Sequence, residues 1–479
     1  DTTTTHIYTL SLHDALPIWR GGPAEMKKHA TMVAIGIALA VSTAGAELKC
    51  YFGNLHAHTS YSDGESTPDT AFAYARDVAR IDIQALTEHN NGGSFGGVSY
   101  SITPENYANL RLVADTITSP GRFVALAGQE VGSIGSSGFG HINVWEAPGL
   151  WPYNNTDLLG CYSWILGQAR PAMYCHPDSS WNSNFNDLYY YRDYDRAMDL
   201  IEVLNSSTLY ETAYFRALER GWHLGASANQ DNHHRNWGNR INSSGNIPLT
   251  GVWADTLTKQ AVLEALEAGR TTAMEVSPAS DRIRLLLSVD GRWQGQRFIS
   301  SAGKCRVRVK AQAATSFKRI YLYTNGRLSD SLSVIPADTL VSWEFDKDLR
   351  LGSNYLLAKA LQTDGDRAWT SPVFIEVISG SSINNYSSSQ VATWPTPVKG
   401  SASIVFVPLD DSRSVRAVIY DLSGAKVREL EGEDPRQPIN WDGRDYAGRP
   451  VGNGLYIIRL EQRSDVETRT SLGRTMVSR

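Results

Sequence analysis

One recurring arrangement limits what this chain can fold into. Between residues 51 and 280, five short apolar runs each end at residues of a metal-binding type: Glu88-His89, Glu130, His141, His176 and the Asp231 to His234 run. Amphipathic segments separate these runs, and that alternation predicts β/α units around a parallel sheet. Because the carboxyl ends of parallel strands meet at one edge, we expect these side chains to converge there.

The first member of the series is the run His56-Ala57-His58, followed by Asp63. Side chains two residues apart on a strand leave the same face, so both histidines can hold one cation while Asp63 reaches a neighbouring one. Two histidines alone also occur by chance in cores and on surfaces. Eight histidines lie from His56 onwards, however, and six of them occupy these positions, which leaves only His223 and His234.

The run HAHTSYSDG, the following TEHN, a lone glutamate, two separated histidines and a final D-x-H together resemble the polymerase and histidinol phosphatase (PHP) superfamily of metal-dependent phosphoesterases. The resemblance covers about residues 51 to 280 and implies a distorted (β/α)7 barrel. It also implies nine metal ligands: His56, His58, Asp63, His89, Glu130, His141, His176, Asp231 and His233. The family usually has aspartate where this chain has Glu88, a change that we expect to alter the orientation of His89 without loss of a metal.

These mixed nitrogen and oxygen ligands predict two to three divalent transition metals, Zn, Mn or Fe. We expect Glu130 to bridge metals and to act in catalysis with Asp231 and His233, either of which could pass a proton to the leaving group. Arg235 is the candidate for binding an anionic substrate, the alternative being an ordinary surface arginine.

The predicted function is a secreted hydrolase that cleaves phosphate mono- or diesters with a metal-activated water. Two alternatives stay open: a metallohydrolase of uncharged carboxylic or carbamate esters, and a metal-stabilised surface binding protein. The complete ligand set disfavours the binding protein. A net charge of -5 indicates no nucleic-acid partner, so a small-molecule ester is the expected substrate.

Individual elements can also be predicted. Strands are expected over residues 83–86, 123–127, 172–175, 201–204 and 224–228. Helices should start at Pro68 and Pro104, and a further helix over residues 259–268 should end at Gly269. An aromatic segment with Trp181, residues 189–191 and Tyr194 either walls a substrate pocket or packs a small core of its own.

The start of the chain reads as two segments outside the fold. Residues 1–25 fit no targeting pattern and are interpreted as non-native upstream sequence. Residues 26–46 have the basic, apolar and small-residue regions of a signal peptide, with cleavage expected after Ala46. Its apolar run of about ten residues is short of the ~20 that cross a bilayer, so no stable membrane span is expected. Four cysteines allow disulfides but assign none.

After the catalytic region, expected over residues 47–280, the pattern changes to strands and turns. Residues 281–379 predict an immunoglobulin-like β-sandwich, and residues 380–390 a Ser/Asn-rich linker. In residues 391–479, the runs WDGRD and VGNGLY resemble the FlgD-type immunoglobulin-like repeat and the C-terminal sorting domains of type IX secretion. The expected fold class is therefore an α/β distorted (β/α)7 barrel followed by all-β immunoglobulin-like sandwich domains. Export machinery that recognises the last module is the expected partner, and the location is secreted or cell-surface, with the periplasm in transit.

Overall fold

The computed structural model describes residues 48–478 apart from short gaps. The gaps are residues 93, 96–97, 134–137, 153–155, 179–183, 278–280, 301–302, 378–390, 395–397, 399, 407–411, 423, 433, 436 and 465–467. The two predicted N-terminal segments, residues 1–25 and 26–46, lie outside the described residues, as does the 380–390 linker. Within the described ranges, no helix has the length and apolar character that crossing a membrane requires.

The first part of the chain alternates strands and helices. Its strands are β1 (Lys49–Asn54), β2 (Ile83–Asn90), β3 (Ser94–Phe95), β4 (Val98–Ser99), β5 (Val124–Ser133), β6 (Gly140–Trp145), β7 (Ala172–Cys175), β8 (Leu200–Asn205), β9 (Thr208–Leu209), β10 (Gly225–Asn229), β11 (Ile247–Ala254) and β12 (Thr271–Val276). Its helices are α1 (Pro68–Tyr74), α2 (Pro104–Ile117), α3 (Leu158–Gln168), α4 (Asn184–Leu188), α5 (Glu211–Arg220) and α6 (Lys259–Glu267). A π-helical turn (Ala75–Ala79) follows α1, and a 3-10 helix (Arg192–Ala197) precedes β8. The five predicted strands all form.

The predicted helix boundaries follow from their capping residues. Both α1 and α2 begin at a proline, and Thr103 Oγ1 accepts the backbone N–H of Asn106 at 3.2 Å. Proline has no N–H to leave unpaired at a helix start, which makes this position favourable. At the end of α6, Gly269 takes a φ of +60°, a left-handed conformation in which glycine avoids the Cβ clash.

The strands of this part are paired in the order β12, β11, β1, β2, β5, β6, β7, β8, β10. Strands β6 and β11 run antiparallel to both of their neighbours. An isolated parallel bridge, not a continuous ladder, joins Ala57, which follows β1, to Asn232, which follows β10. The predicted (β/α)7 barrel is therefore not confirmed: antiparallel pairing needs no helical crossover, and the described sheet does not close.

Apolar packing behind the sheet fixes the strands that lead to the site. Every residue of β2 is buried, as expected for a strand covered on both faces. Helix α6 packs Val262 and Leu266 into a core that also contains Leu55, Ile83 and Leu126. Each fully buried side chain of this size contributes roughly 1.5–3 kcal/mol, so the strand ends have little freedom to move.

The second part is β-rich and continues the same sheet. Its strands are β13 (Arg284–Val289), β14 (Arg292–Trp293), β15 (Arg297–Ser300), β16 (Lys304–Thr324), β17 (Arg327–Asp348), β18 (Gly352–Gln362), β19 (Arg367–Thr370) and β20 (Val373–Val377). Strand β19 pairs antiparallel with β12, with Thr370 opposite Thr272. One apolar core contains Phe52 from the first part together with Ile320 and Leu356 from the second. The two parts therefore share a sheet and a core across the boundary that the sequence predicted near residue 280.

The last part has two small sheets and a core of its own. Its strands are β21 (Val391–Trp394), β22 (Ala402–Phe406), β23 (Ser414–Tyr420), β24 (Lys426–Glu431), β25 (Ile439–Trp441), β26 (Gly454–Arg463) and β27 (Thr468–Val477). They form sheets in the orders β21, β22, β25 and β24, β23, β26, β27. Trp441 is fully buried in this core, which also contains Ile419 and Ile458, and its Nε1 donates to the Arg444 carbonyl at 3.1 Å. The tryptophan of the WDGRD motif thus fixes the turn that follows it.

Candidate metal centre

The structure brings all nine predicted ligands together at one edge of the first sheet. His56 and His58 follow β1, His89 and Glu130 lie near the ends of β2 and β5, His176 follows β7, and Asp231 and His233 follow β10. His141 instead lies near the beginning of β6. Because β6 is reversed relative to β5 and β7, its first residues reach the same edge as the ends of its neighbours.

Glu130 is the centre of this arrangement. Its side chain is 1% exposed. Its two oxygens approach ring nitrogens of five histidines: His141 Nδ1 at 2.8 Å, His89 Nδ1 at 3.0 Å, His56 Nε2 at 3.2 Å, His176 Nε2 at 3.2 Å and His58 Nε2 at 3.4 Å. A carboxylate that has histidine nitrogens near both of its oxygens has the arrangement that a bridge between two metals requires.

Two aspartates complete the centre on its more exposed side. Asp231 Oδ1 lies 3.2 Å from His58 Nε2 and 3.4 Å from His56 Nε2. Asp63 Oδ1 lies 3.1 Å from His233 Nε2, and its Oδ2 lies 3.5 Å from His89 Nε2. The potential ligand atoms form several overlapping groups within 4.8 Å, so the residues offer more than one cation position.

The potential ligand atoms are better suited to binding cations than to hydrogen-bonding one another. His56 Nε2, His58 Nε2, Glu130 Oε2 and both ring nitrogens of His141 are buried, and although several lie 2.8–3.4 Å from a nitrogen or oxygen of the same cluster, none makes a hydrogen bond of acceptable geometry to a described residue. Buried polar atoms are nearly always paired, so a group of unpaired polar atoms facing one space needs an explanation. Imidazole and carboxylate donors suit Zn, Mn or Fe, and a bound divalent metal would satisfy these atoms.

Neighbouring side chains in the cluster shift one another's pKa values. Burial opposes ionisation of Glu130, yet His141, His56 and His89 outweigh it and hold the pKa of Glu130 well below its usual value. Burial, together with His233 and His89, lowers the pKa of His58 to about 3. A neutral His58 keeps a lone pair available for a cation.

His233 behaves in the opposite way. Burial disfavours its protonated form, but its hydrogen bond to Asp63 and the charges of Asp231 and Asp63 raise the pKa of His233 to about 9. Its side chain is 29% exposed, whereas those of His56 and His58 are fully buried. Among these rings, His233 is thus placed to exchange protons with solvent.

A tight turn carries the chain from His58 to Asp63, and Glu88 holds it. Glu88 Oε1 accepts the Thr59 hydroxyl at 2.6 Å, while its Oε2 accepts the Thr59 backbone N–H at 3.1 Å and the Ser62 hydroxyl. These hydrogen bonds join Glu88 to the turn, and its expected effect on the orientation of His89 stays a prediction. The carboxylate lies against the His58 turn, and burial raises its pKa to about 7.

Gly64 closes the same turn. A Cβ at this position would lie 2.6 Å from the His58 carbonyl carbon, a separation that backbone atoms cannot accommodate. The Gly64 N–H donates to the Thr59 carbonyl at 2.9 Å. Only glycine allows the chain to pass this close to the backbone of His58.

The sequence analysis missed Glu202, a fully buried residue in the middle of β8. Its Oε1 accepts His56 Nδ1 at 3.0 Å, and its Oε2 accepts the His176 backbone N–H at 2.7 Å. The first contact places the proton of His56 on Nδ1, so that Nε2 presents its lone pair to the centre. The second holds His176 in a left-handed backbone with φ of +31°, a conformation that non-glycine residues rarely adopt. A charged residue inside an apolar strand was the signal available in the sequence.

Two arginines lie on the segment that carries Asp231 and His233. Arg235, the predicted substrate-binding residue, has a side chain 72% exposed, with Nε 3.5 Å from Glu65 Oε2. Arg240 was not predicted; its Nη1 donates to the Asp231 backbone carbonyl at 3.1 Å. This hydrogen bond supports Asp231, whose own φ is +45°.

The two histidines left over in the sequence stay outside the centre. His223 Nδ1 lies 2.9 Å from Asp195 Oδ2, and His234, 59% exposed, faces Glu65. His223 and Arg297 line a cavity of about 920 Å³, which none of the nine ligands lines.

The aromatic segment packs mainly against itself and its neighbours. The ring of Tyr190 lies 5.4 Å from Trp222, and those of Tyr191 and Tyr194 lie 6.2 and 5.7 Å from Tyr162. Of the two alternatives, a small aromatic core is the one that these contacts support. Trp181 lies outside the described residues.

All four cysteines are buried and free, so none of the possible disulfides forms. Cys175 lies within the centre: its Sγ, a ligand nitrogen of His56 and a carboxylate oxygen of Glu130 all lie within 4.8 Å of one another. In the described part of the chain, the other three cysteines belong to no such group.

Comparisons with known proteins bear mainly on the last module. The family model of the FlgD Ig-like domain matches residues 392–465. No curated protein matches the chain. One similar solved structure is a two-domain protein containing a predicted PHP-like metal-dependent phosphoesterase from Bacteroides vulgatus ATCC 8482, with 16% identity, a TM-score of 0.40, and coverage of 68% of this chain and 95% of that one.

Another is the dimeric latent PorU from Porphyromonas gingivalis, with 15% identity, a TM-score of 0.17, and coverage of 48% of this chain and 24% of that one. Both likenesses are too remote to assign an activity to this chain. The family match and the predicted motifs agree on the C-terminal module: residues 392–465 form a FlgD Ig-like domain.

Proposed function

We propose that this protein is a metal-dependent phosphoesterase that hydrolyses small phosphate mono- or diesters. The observation that carries the proposal is the set of buried, unpaired ligand atoms on His56, His58, Glu130 and His141, which face one another without hydrogen bonds. Such an arrangement is costly unless a cation occupies it. Its position at a strand edge, with Asp63 and His233 partly exposed, gives a substrate access from solvent.

The nine ligands would hold two to three divalent metals, Zn, Mn or Fe, with Glu130 between them. When bound, such metals make a water acidic enough to attack near neutral pH and stabilise the charge that develops on the ester oxygens. The chain itself fixes the ligand geometry through Glu202 and Glu88, and it excludes water from the ring nitrogens of His56 and His58.

His233 and Asp231 are the proposed proton carriers for the leaving group. Their side chains are 29% and 24% exposed, so a leaving alkoxide could reach either. When His233 is not bound to a metal, the proximity of Asp63, which raises the pKa of His233, would keep a proton on that ring until it is transferred.

A phosphate ester is favoured over an uncharged ester by the cationic groups beside the centre. Arg235 and Arg240 lie on the same segment as Asp231 and His233, and a guanidinium matches phosphate oxygens in shape and charge. Arg235 remains the predicted substrate-binding residue, with Glu65 as the group that an incoming phosphate would displace.

The experiment is a turnover panel of nitrophenyl phosphate monoesters, phosphate diesters and carboxylic esters, run on protein of known metal content. We expect hydrolysis of phosphate esters that disappears with a chelator and returns with added metal. Turnover of carboxylic esters alone would support an uncharged-ester hydrolase instead. Metal binding without turnover of any ester would support the binding-protein alternative.

We further propose that the protein is exported and that its FlgD Ig-like domain guides its last step to the medium or the cell surface. The support is the family match at residues 392–465 combined with the signal-peptide pattern predicted for residues 26–46. The proposed partner is export machinery that recognises this C-terminal module.

A further inference from the structure

Cys175 lies on the same face of the sheet as a predicted ligand. It ends β7 and is paired directly with His141 of β6 in the antiparallel ladder. Residues paired in this way direct their side chains to one face, so the thiol points to the side on which His141 meets Glu130. Cys175 is fully buried.

A buried cysteine most often acts as a small apolar side chain. Cys175 shares a core with Met173 and Leu200, which fits that role. The surroundings of Cys175 are different on its other side. There, the Cys175 Sγ lies within 4.8 Å of a ring nitrogen of His56 and a carboxylate oxygen of Glu130, and His56 Nε2 is a buried atom without a hydrogen-bond partner among the described residues. A zinc ion spans about 4.4 Å between a sulfur and a nitrogen ligand at most, so only a small adjustment would bring all three onto one ion.

We propose that Cys175 is a thiolate ligand of the metal held by His56 and Glu130. On binding, the sulfur–metal bond forms and the thiol proton leaves to solvent, with no change of oxidation state. A sulfur ligand favours Zn²⁺ or Co²⁺ over Mn²⁺ at that position. This inference rests on the metal centre of the proposed function but not on its substrate.

The test is the absorption spectrum of the Co²⁺-loaded protein, because a cobalt–thiolate bond gives a charge-transfer band in the near ultraviolet. We expect the band in the wild-type protein and its loss in Cys175→Ser. Cys161→Ser is the matched control: Cys161 is also fully buried, but among the described residues it belongs to no group of potential ligand atoms, and the band should persist. The ratio of Zn²⁺ to Mn²⁺ affinity should fall about tenfold or more in Cys175→Ser alone.

The wild-type spectrum decides the matter even if Cys175→Ser fails to fold. Wild-type protein that binds Co²⁺ without the band, or Cys175→Ser that keeps both the band and the affinity ratio, would overturn the assignment of Cys175 and leave the metal centre standing. A protein that binds no Co²⁺ or Zn²⁺ at all would overturn both.

Discussion

The substitution Glu202→Gln tests whether hydrogen bonds to Glu202 orient the predicted metal ligands His56 and His176. The Glu202 carboxylate accepts four hydrogen bonds: from His56 Nδ1 and Asn229 Nδ2 on one oxygen, and from the His176 N–H and Asn205 Nδ2 on the other. Glutamine keeps the shape but replaces one oxygen with an amide nitrogen. Whichever way the glutamine amide turns, its NH2 group then faces two N–H donors that no longer have an acceptor.

The size of the effect follows from these contacts. Hydrogen bonds to a charged acceptor contribute about 1.5–3 kcal/mol each, and loss of a group that orients a metal-binding histidine weakens metal affinity by about 10- to 100-fold. That range corresponds to about 1.4–2.8 kcal/mol of binding free energy. We therefore expect the metal dissociation constant of Glu202→Gln to rise by one to two orders of magnitude.

The assay is competition for Zn²⁺ against a chromogenic chelator, with folding checked by circular dichroism. Glu264→Gln is the control, since it makes the same change on the exposed face of α6, where the Glu264 carboxylate accepts, among the described residues, only the Gln260 amide. Equal zinc affinity in wild-type protein and Glu202→Gln would refute the reasoning, because His56 would then be oriented without its carboxylate partner.

Four further outcomes are expected. Glu130→Gln should lower turnover by orders of magnitude while the thermal melt of the metal-free protein changes little; full activity would show that Glu130 bridges no metals. Protein ending at residue 379 should keep its activity in vitro, because every predicted ligand lies before residue 234, and an inactive truncation would mean that the last module completes the site. In the native host, deletion of residues 391–479 should retain active enzyme in the periplasm, whereas unchanged delivery would reduce the module to a spacer. Metal binding should release protons and strengthen as pH rises towards about 9, since protonated His233 cannot ligate and its pKa is raised to about 9; calorimetry in buffers of different ionisation enthalpy measures this release.

The convergence of the nine predicted ligands could be expected from the sequence, because the family resemblance implies the set and most members follow an apolar run that forms a buried strand. His89 and His176 illustrate this: their neighbours Leu86 and Tyr174 are fully buried, and the strand direction then determines where the polar residue emerges. His141 is an exception: the family resemblance implies it, and it lies near the start of the reversed strand β6.

The orienting residues and the sheet closure were not predictable in the same way. Glu202 occupies the middle of β8, and only the fold shows that its carboxylate reaches His56 on another strand. Glu88 precedes a ligand, yet its partners Thr59 and Ser62 lie on a different turn. The antiparallel placement of β6 and β11, which prevents a regular (β/α)7 barrel, depends on pairing between distant segments, and hydrophobic periodicity carries no information about it.

The measurement that tests the central claim most directly is the metal content of the purified, fully loaded protein by elemental mass spectrometry. The convergence of His56, His58, Glu130, His141 and Asp231 predicts two to three transition-metal ions per chain, with a clear loss in Glu130→Gln. Fewer than one ion per chain in correctly folded protein would contradict the account.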